Sequence, residues 1–172
     1  MPKIIRDGAI VEDQWTILAA DETAAIPNSN DAPFLIVSLK VWQAKRAELL
    51  AREGPLGLLL ETNDEPEPIG DNIARFDVIA INFVKFTDGR GYSLGRLLRE
   101  RYWYAKELRA VGDVLQDQLF YMKRSGFNSF AIRADKNIDA ALNSLNDFSE
   151  TYQGAWDQPL PLFKRRPLAT TT

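Results

Sequence analysis

The chain has 172 residues, with 21 Lys+Arg against 24 Asp+Glu, a formal net charge of −3, and neither His nor Cys. Without imidazole or thiolate, this chain cannot build a Cys/His zinc site, a thiolate-held iron–sulfur cluster, a disulfide, or a Ser-His-Asp or Cys-His catalytic centre. At 45% apolar and 26% charged residues, the profile is that of an ordinary soluble globular protein, long enough for one domain with a sizeable core.

The first residues, Met1 to Gly8, scatter charges where a signal peptide needs an apolar core, and no apolar run approaches the roughly 18 residues of a membrane helix. The expected location is the cytoplasm. Charge is uneven along the chain. Residues 1–80 hold 7 basic and 14 acidic side chains, and residues 81–172 hold 14 basic and 10 acidic. An acidic half joined to a basic half points to a surface with a sidedness.

In chain order, Ile4-Ile5 and Ala9-Ile10-Val11 flank Asp7-Gly8, a hairpin turn signal. Asp21 to Pro33, rich in Pro, Asn, Asp and Ser, reads as a surface loop or linker. Phe34 to Leu39 is a continuous apolar run, as in a strand covered on both faces. Trp42 to Arg52 predicts a helix, Leu56 to Leu60 a strand, Ile69 to Phe76 a short helical stretch, and Val78 to Phe83 a strand. Ser93 to Tyr104 predicts a helix with Leu94, Leu97, Leu98 and Tyr102 on one stripe, followed by a strand at Leu108 to Val111. Asp113 to Arg124 predicts a helix opened by an Asp113–Gln116 capping box. Phe130 to Ile132 is a fifth strand, and Ile138, Ala141, Leu142, Leu145 and Phe148 mark an amphipathic helix. Tyr152 to Thr172, with three prolines and Lys164-Arg165-Arg166, reads as an extended basic tail, disordered from Leu168 onward.

Five strand-then-helix units predict an α/β fold with a mainly parallel sheet flanked by helices. An open sheet is the first expectation and a partial TIM-like barrel the second, with an N-terminal β-hairpin. The expected division is a hairpin and linker over 1–33 packed on the main domain, a βα-repeat domain over 34–150, and the tail over 151–172.

Ligands gather beyond the carboxyl ends of parallel strands. Those ends carry Lys40, Glu61, Lys85 with Asp88 and Arg90, Gly112-Asp113, and Arg133. The 86–93 stretch, Phe-Thr-Asp-Gly-Arg-Gly-Tyr-Ser, is the richest. Lys85, Arg90, the Gly91 backbone and a helix-capping Ser93 form a candidate oxyanion or phosphate site, although the loop matches neither a Walker sequence nor a GxGxxG fingerprint. With no His, an acid or base must come from groups such as Asp88, Asp113 or Asp117. Arg96, Arg99 and Arg109 extend the basic stretch, and together with Trp103 and Tyr104 they suit a docking face for an acidic partner. The acidic run from Glu61 to Asp71 matches no calcium loop and reads as solvated, so no metal site is expected.

The ordered set 86–93, Arg96-Leu97-Leu98-Arg99, Glu107 to Leu115 and Asp117 to Met122 resembles a bacterial family defined by a domain of unknown function. Ile4 to Gly8 and Pro159 to Arg166 carry the same resemblance. Genes of that family often lie beside assimilatory sulfite reductase, and its members are described as oxidoreductases of sulfite reduction. The resemblance therefore implies a bacterial, cytoplasmic protein of sulfur assimilation, with sulfite reductase or its electron donor as partner. A chain without Cys or His cannot ligate the reductase's cluster through thiolates or its haem through imidazole. This points to an accessory protein, with no cofactor expected; a flavin held by backbone and side-chain contacts is compatible, as is a nicotinamide. An α/β enzyme or binding protein for a small anion at 85–93 is the competing expectation. Neither nucleic acid nor membrane is an expected partner, and self-association remains open.

Overall fold

The computed structural model describes residues 2–18, 25–85, 87–145 and 153–165. Phe86, Phe148, Tyr152, Arg166 and the stretch from Leu168 lie outside the described residues.

The Asp-Gly signal makes the turn it predicts. Strand β1 (Lys3–Arg6) pairs antiparallel with β2 (Ala9–Glu12), and Asp7 (φ 50°) and Gly8 (φ 79°) adopt the left-handed backbone that a two-residue hairpin requires. The next strand, β3 (Thr16–Ile17), is only two residues long and gave no periodic signal. The apolar runs follow as β4 (Leu35–Ser38), β5 (Leu56–Glu61), β6 (Val78–Phe83), β7 (Glu107–Gly112) and β8 (Ser129–Phe130). Between and after them lie α1 (Leu39–Ala51), a 3-10 segment (Glu67–Arg75), α2 (Arg90–Glu100), a 3-10 turn (Gln116–Gln118) running into α3 (Leu119–Arg124), α4 (Ile138–Ser144) and one helical turn, α5 (Leu162–Arg165), in the tail.

All eight strands form one sheet in the order β2-β1-β8-β7-β6-β5-β4-β3, parallel from β8 to β3 and antiparallel at β1. The order from β4 to β8 never reverses. Right-handed crossovers in such a sheet place every helix on the same face, whereas a doubly wound sheet reverses and covers both. The outer core lies on that face. Leu35, Val37, Leu58, Leu60, Ile79, Ile81, Phe83, Leu108 and Ala110 pack there with Trp42, Leu49, Leu94, Leu98, Leu119 and Met122.

The sheet curls into a half-barrel, the second of the two architectures expected. Its edge strands, β2 and β3, are joined by Asp13, Gln14 and Trp15 alone. Four residue steps span at most about 14 Å, while a flat eight-stranded sheet would hold its edges about 34 Å apart. The curl buries the inner face as well. Ile4, Ile36, Val78, Ala80, Arg109 and Ser129 are all buried there. The 13–15 strap fills one end of this interior. Trp15 meets Phe34 edge-on at 5.5 Å and lies against Gly57, where an added Cβ would come within 2.5 Å of Val78 and 2.6 Å of Ile36. Among the described residues, no helix is long and apolar enough to cross a membrane.

Two local expectations are corrected. Helix α2 begins at Arg90, three residues earlier than expected, because the Asp88 carboxylate accepts the Arg90 backbone N–H at 3.1 Å. Ser93 is therefore an exposed residue one turn inside the helix and does not cap it. The capping box falls two residues later than Asp113–Gln116: the Leu115 N–H donates to Gln118 Oε1 at 3.0 Å, and the Gln118 N–H returns to the Leu115 carbonyl at 3.1 Å. Asp113 is turned instead toward Arg133.

Candidate functional site

The carboxyl-terminal rim of the half-barrel brings Lys85, Asp88, Arg90, Asp113 and Arg133 to one end of the molecule, as the strand endings required. Its chemistry is internal pairing. The Arg90 guanidinium donates to both oxygens of Asp88, Nε to Oδ1 at 2.9 Å and Nη2 to Oδ2 at 2.7 Å, and the Thr62 hydroxyl donates to Oδ2 at 2.5 Å. The Arg90 and Thr62 bonds hold the Asp88 carboxyl far below the usual carboxylate range. Asp88 is thus a fixed anion rather than a proton carrier. Arg133 donates to Asp113 at 2.8 Å and to both oxygens of Asp135, holding the Asp135 carboxyl down at about 2. Glu61 accepts from Asn82 on its inner-face neighbour strand at 3.1 Å. Lys85 is exposed and forms no ion pair among the described residues.

The rest of the basic stretch disperses. Arg96 is exposed and pairs with Glu100 one turn on at 2.8 Å. Arg99 is only 4% exposed, so it presents no docking charge. Its guanidinium donates to the carbonyls of Gly126 (2.8 Å), Tyr104 (2.5 Å) and Lys106 (2.8 Å) and to Asn128 Oδ1 (3.2 Å). Arg109 is 2% exposed and lies on the inner face near the opposite end of the barrel. There it meets Asp13 of the strap at 2.9 Å and Glu107 at 2.7 Å, beside an opening of about 470 Å³ lined by Arg6, Trp15, Phe34 and Asp77. Arg109 belongs to the interior because its strand position alternates with Leu108 and Ala110, which face the helices.

Gly91 is a packing position. A Cβ there would lie 2.5 Å from the Phe83 ring, so the residue lets α2 sit against β6. Asp117 is exposed on the 3-10 turn near Tyr92, whose hydroxyl is pushed up by burial first, then by Tyr121 and Asp117. Of the seven cations from Lys85 to Arg109, Lys85 and Arg101 are the two that the described residues leave without a bonded partner. Thr62 was missed in the sequence, where a threonine after a strand carries no motif.

The aromatics divide sharply. Tyr104 is buried and its hydroxyl donates toward the carbonyls of Phe76 and Glu107; burial pushes that hydroxyl far above its ordinary value. Trp103 is 80% exposed, and Tyr121, Leu160 and Trp156 are also on the surface. Trp156 and the tail prolines Pro159 and Pro161 line a groove of about 600 Å³ against Arg96 and Glu100 of α2.

Residues 57–163 match the family described as bacterial protein of unknown function (DUF934), which is more than half of the 172-residue chain. The chain belongs to the DUF934 family. No curated protein matches it. The DUF934 match spans β5 to the tail, so it takes in the rim residues Lys85, Asp88, Arg90, Asp113 and Arg133, Arg99 with its carbonyl partners, and Trp103. It begins after the strap, whose Asp13 completes the Arg109 pairing.

Proposed function

We propose that this DUF934 protein is an accessory component of assimilatory sulfite reduction that docks on sulfite reductase or its electron donor and does not itself carry the redox centre. The observation that carries the reading is the contrast between its polar and aromatic surfaces. Two of the rim cations that would bind a small anion are engaged with carboxylates, Arg90 with Asp88 and Arg133 with Asp113, while Lys85 forms no ion pair among the described residues. An anion at 85–93 would have to displace Asp88 from a two-point guanidinium bond. Large aromatic side chains, by contrast, stand in solvent at Trp103 and Tyr121, the residue types that dominate protein interfaces. The family resemblance supplies the pathway. The absence of Cys and His from all 172 residues supports a role beside the metal centres of the reductase.

The test is a binding and activity experiment with purified sulfite reductase holoenzyme and its own electron donor. Expected is a complex with one of the two, together with a change of at least about 2-fold in the rate of sulfide formation when the chain is added. Absence of both a complex and a rate change refutes the accessory reading.

A further inference from the structure

Helix α2 ends in an unusual way. Its termination places a non-glycine residue, Trp103, at φ 54°, in the left-handed region where helix ends ordinarily use Gly or Asn. The surrounding chain enforces this. The Tyr104 N–H reaches back to the Leu98 carbonyl at 3.1 Å, the Arg99 guanidinium holds the carbonyls of Tyr104 and Lys106, and the Tyr104 ring is buried. The loop is therefore clamped on the carboxyl side of Trp103 while the indole itself is 80% exposed. In the free chain a bulky residue bears the backbone strain, and an apolar ring remains in water. Among the described residues the indole makes no ring contact, hydrogen bond or ion pair that would offset these costs, and such a violation of local preference marks a functional position.

The charges nearby indicate what the ring meets. Arg101, two residues before it, forms no ion pair among the described residues. Glu67 lies close enough to Tyr102 to help burial raise its hydroxyl, and the adjacent Pro68 carbonyl accepts from Arg46 at 2.6 Å. Lys106 donates to the Ala74 carbonyl and to Asp77. Among the described residues Arg75, next to Ala74, donates to the carbonyls of Arg52 and Gly54. Among the described residues Arg46, Arg75 and Arg101 thus form no ion pair, and they outnumber Glu67 and Asp71, the carboxylates on the neighbouring 3-10 segment.

We propose that Trp103 is the anchor of a docking surface for a protein partner whose facing pocket is apolar and rimmed by carboxylates. The proposal deepens the docking reading above by naming the anchor and the chemistry it meets. The rigid loop presents the indole already oriented, so little side-chain freedom is lost on binding, and Arg46, Arg75 and Arg101 complement the acidic rim.

The experiment places a photoreactive phenylalanine analogue at position 103, and separately at exposed Val84 as a control, in the full chain within its native cells. Adducts are identified by peptide mapping. Expected is one discrete adduct from position 103 to a carboxylate-rich surface of another protein, absent from position 84 and lost on Arg101→Glu. No adduct above the control, an adduct to a second copy of this chain, or one insensitive to Arg101→Glu overturns the proposal. An adduct on a protein other than sulfite reductase or its donor upholds the surface and counts against the pathway assignment. A reductase complex that leaves position 103 unlabelled does the reverse. Against the purified partner, Trp103→Gly should weaken binding at least about 30-fold while leaving the melting temperature equal or higher. A fall in melting temperature would mean that the ring serves the fold, and would also overturn the proposal.

Discussion

Arg99→Met removes the guanidinium that ties α2 to two other segments, 104–106 and 126–128. The side chain makes four hydrogen bonds, to the carbonyls of Tyr104, Lys106 and Gly126 and to Asn128 Oδ1, and is 4% exposed. Charged-donor bonds contribute about 1.5–3 kcal/mol each, and the guanidinium's lost hydration offsets much of that sum. Met leaves the acceptors without their donor while the helix keeps its packing. The expected net loss is about 3–5 kcal/mol, the cost of leaving several buried neutral acceptors unsatisfied. At roughly 2–4 °C per kcal/mol for a chain of this size, the melting temperature should fall by about 6–20 °C. Arg99→Lys should recover only a minor part, because one ammonium cannot reach acceptors spread over Tyr104, Gly126 and Asn128. The assay is urea unfolding at pH 7 with a circular-dichroism melt. A loss below about 1 kcal/mol for Arg99→Met would refute the clamp. Loss of partner binding at unchanged stability would reinstate Arg99 as a contact residue.

Three further outcomes are expected. Gly91→Ala drives a Cβ to 2.5 Å from the Phe83 ring and should cost about 1–3 kcal/mol by overpacking; an unchanged urea midpoint would show that α2 shifts freely on β6. Tyr104 should stay neutral through an alkaline absorbance titration until the protein unfolds. Its folded value is raised by burial, so its contribution is complete below the unfolded value near 10 and is lost as pH rises above it. Tyr104→Phe should remove that late step, and titration of all tyrosines before unfolding would contradict it. Asp88 has the opposite sign. Its folded value is depressed by Arg90 and Thr62, so its contribution is complete above about pH 4 and declines on further acidification. The stability gap between wild type and Asp88→Asn should be flat from pH 5 to 8 and narrow below 4, and a gap that widens in acid would disprove the assignment.

The fold was legible where local chemistry decides it. Asp7-Gly8 specifies its turn, and the apolar runs at 35–38, 56–61 and 78–83 specify buried parallel strands. Closure was not legible, because it depends on two-residue β3 and on the three strap residues, which are too short for any period. The candidate rim residues were placed at one end of the sheet by the strand endings, but the pairing of their charges was not legible. Asp88 and Arg90 were both candidates, yet their pairing follows from a turn that points both side chains the same way. Arg99 had a detectable signal. Gly91, Leu94, Gly95 and Leu98 are the buried positions of α2, and Arg99 lies four residues after Gly95 on the edge of that face. The expected stripe of Leu94, Leu97, Leu98 and Tyr102 was rotated from this, because Gly91 and Gly95 admit the rings of Phe83 and Phe127 close to the helix.

The strap also bears on where function can sit. In a half-barrel the interior is the natural place for a ligand, but here the chain that joins the two sheet edges passes across one end of it. Asp13 arrives on that strap and meets Arg109, whose guanidinium also contacts Glu107, while the Trp15 ring occupies the space that Gly57 leaves open. With Arg6 3.6 Å from Glu107, these two guanidiniums and two carboxylates form a neutralised network within the fold. Removing one member would leave a buried charge unpaired, so any occupant drawing on Arg109 would have to replace Asp13 or Glu107 bond for bond. At the other end, Asp88 and Asp113 stand in the same relation to Arg90 and Arg133. Among the described residues Lys85 is the rim cation left without an ion pair, and the large apolar feature left unmatched is an indole held outward on a strained loop. That asymmetry favours association with another macromolecule over turnover of a small anion.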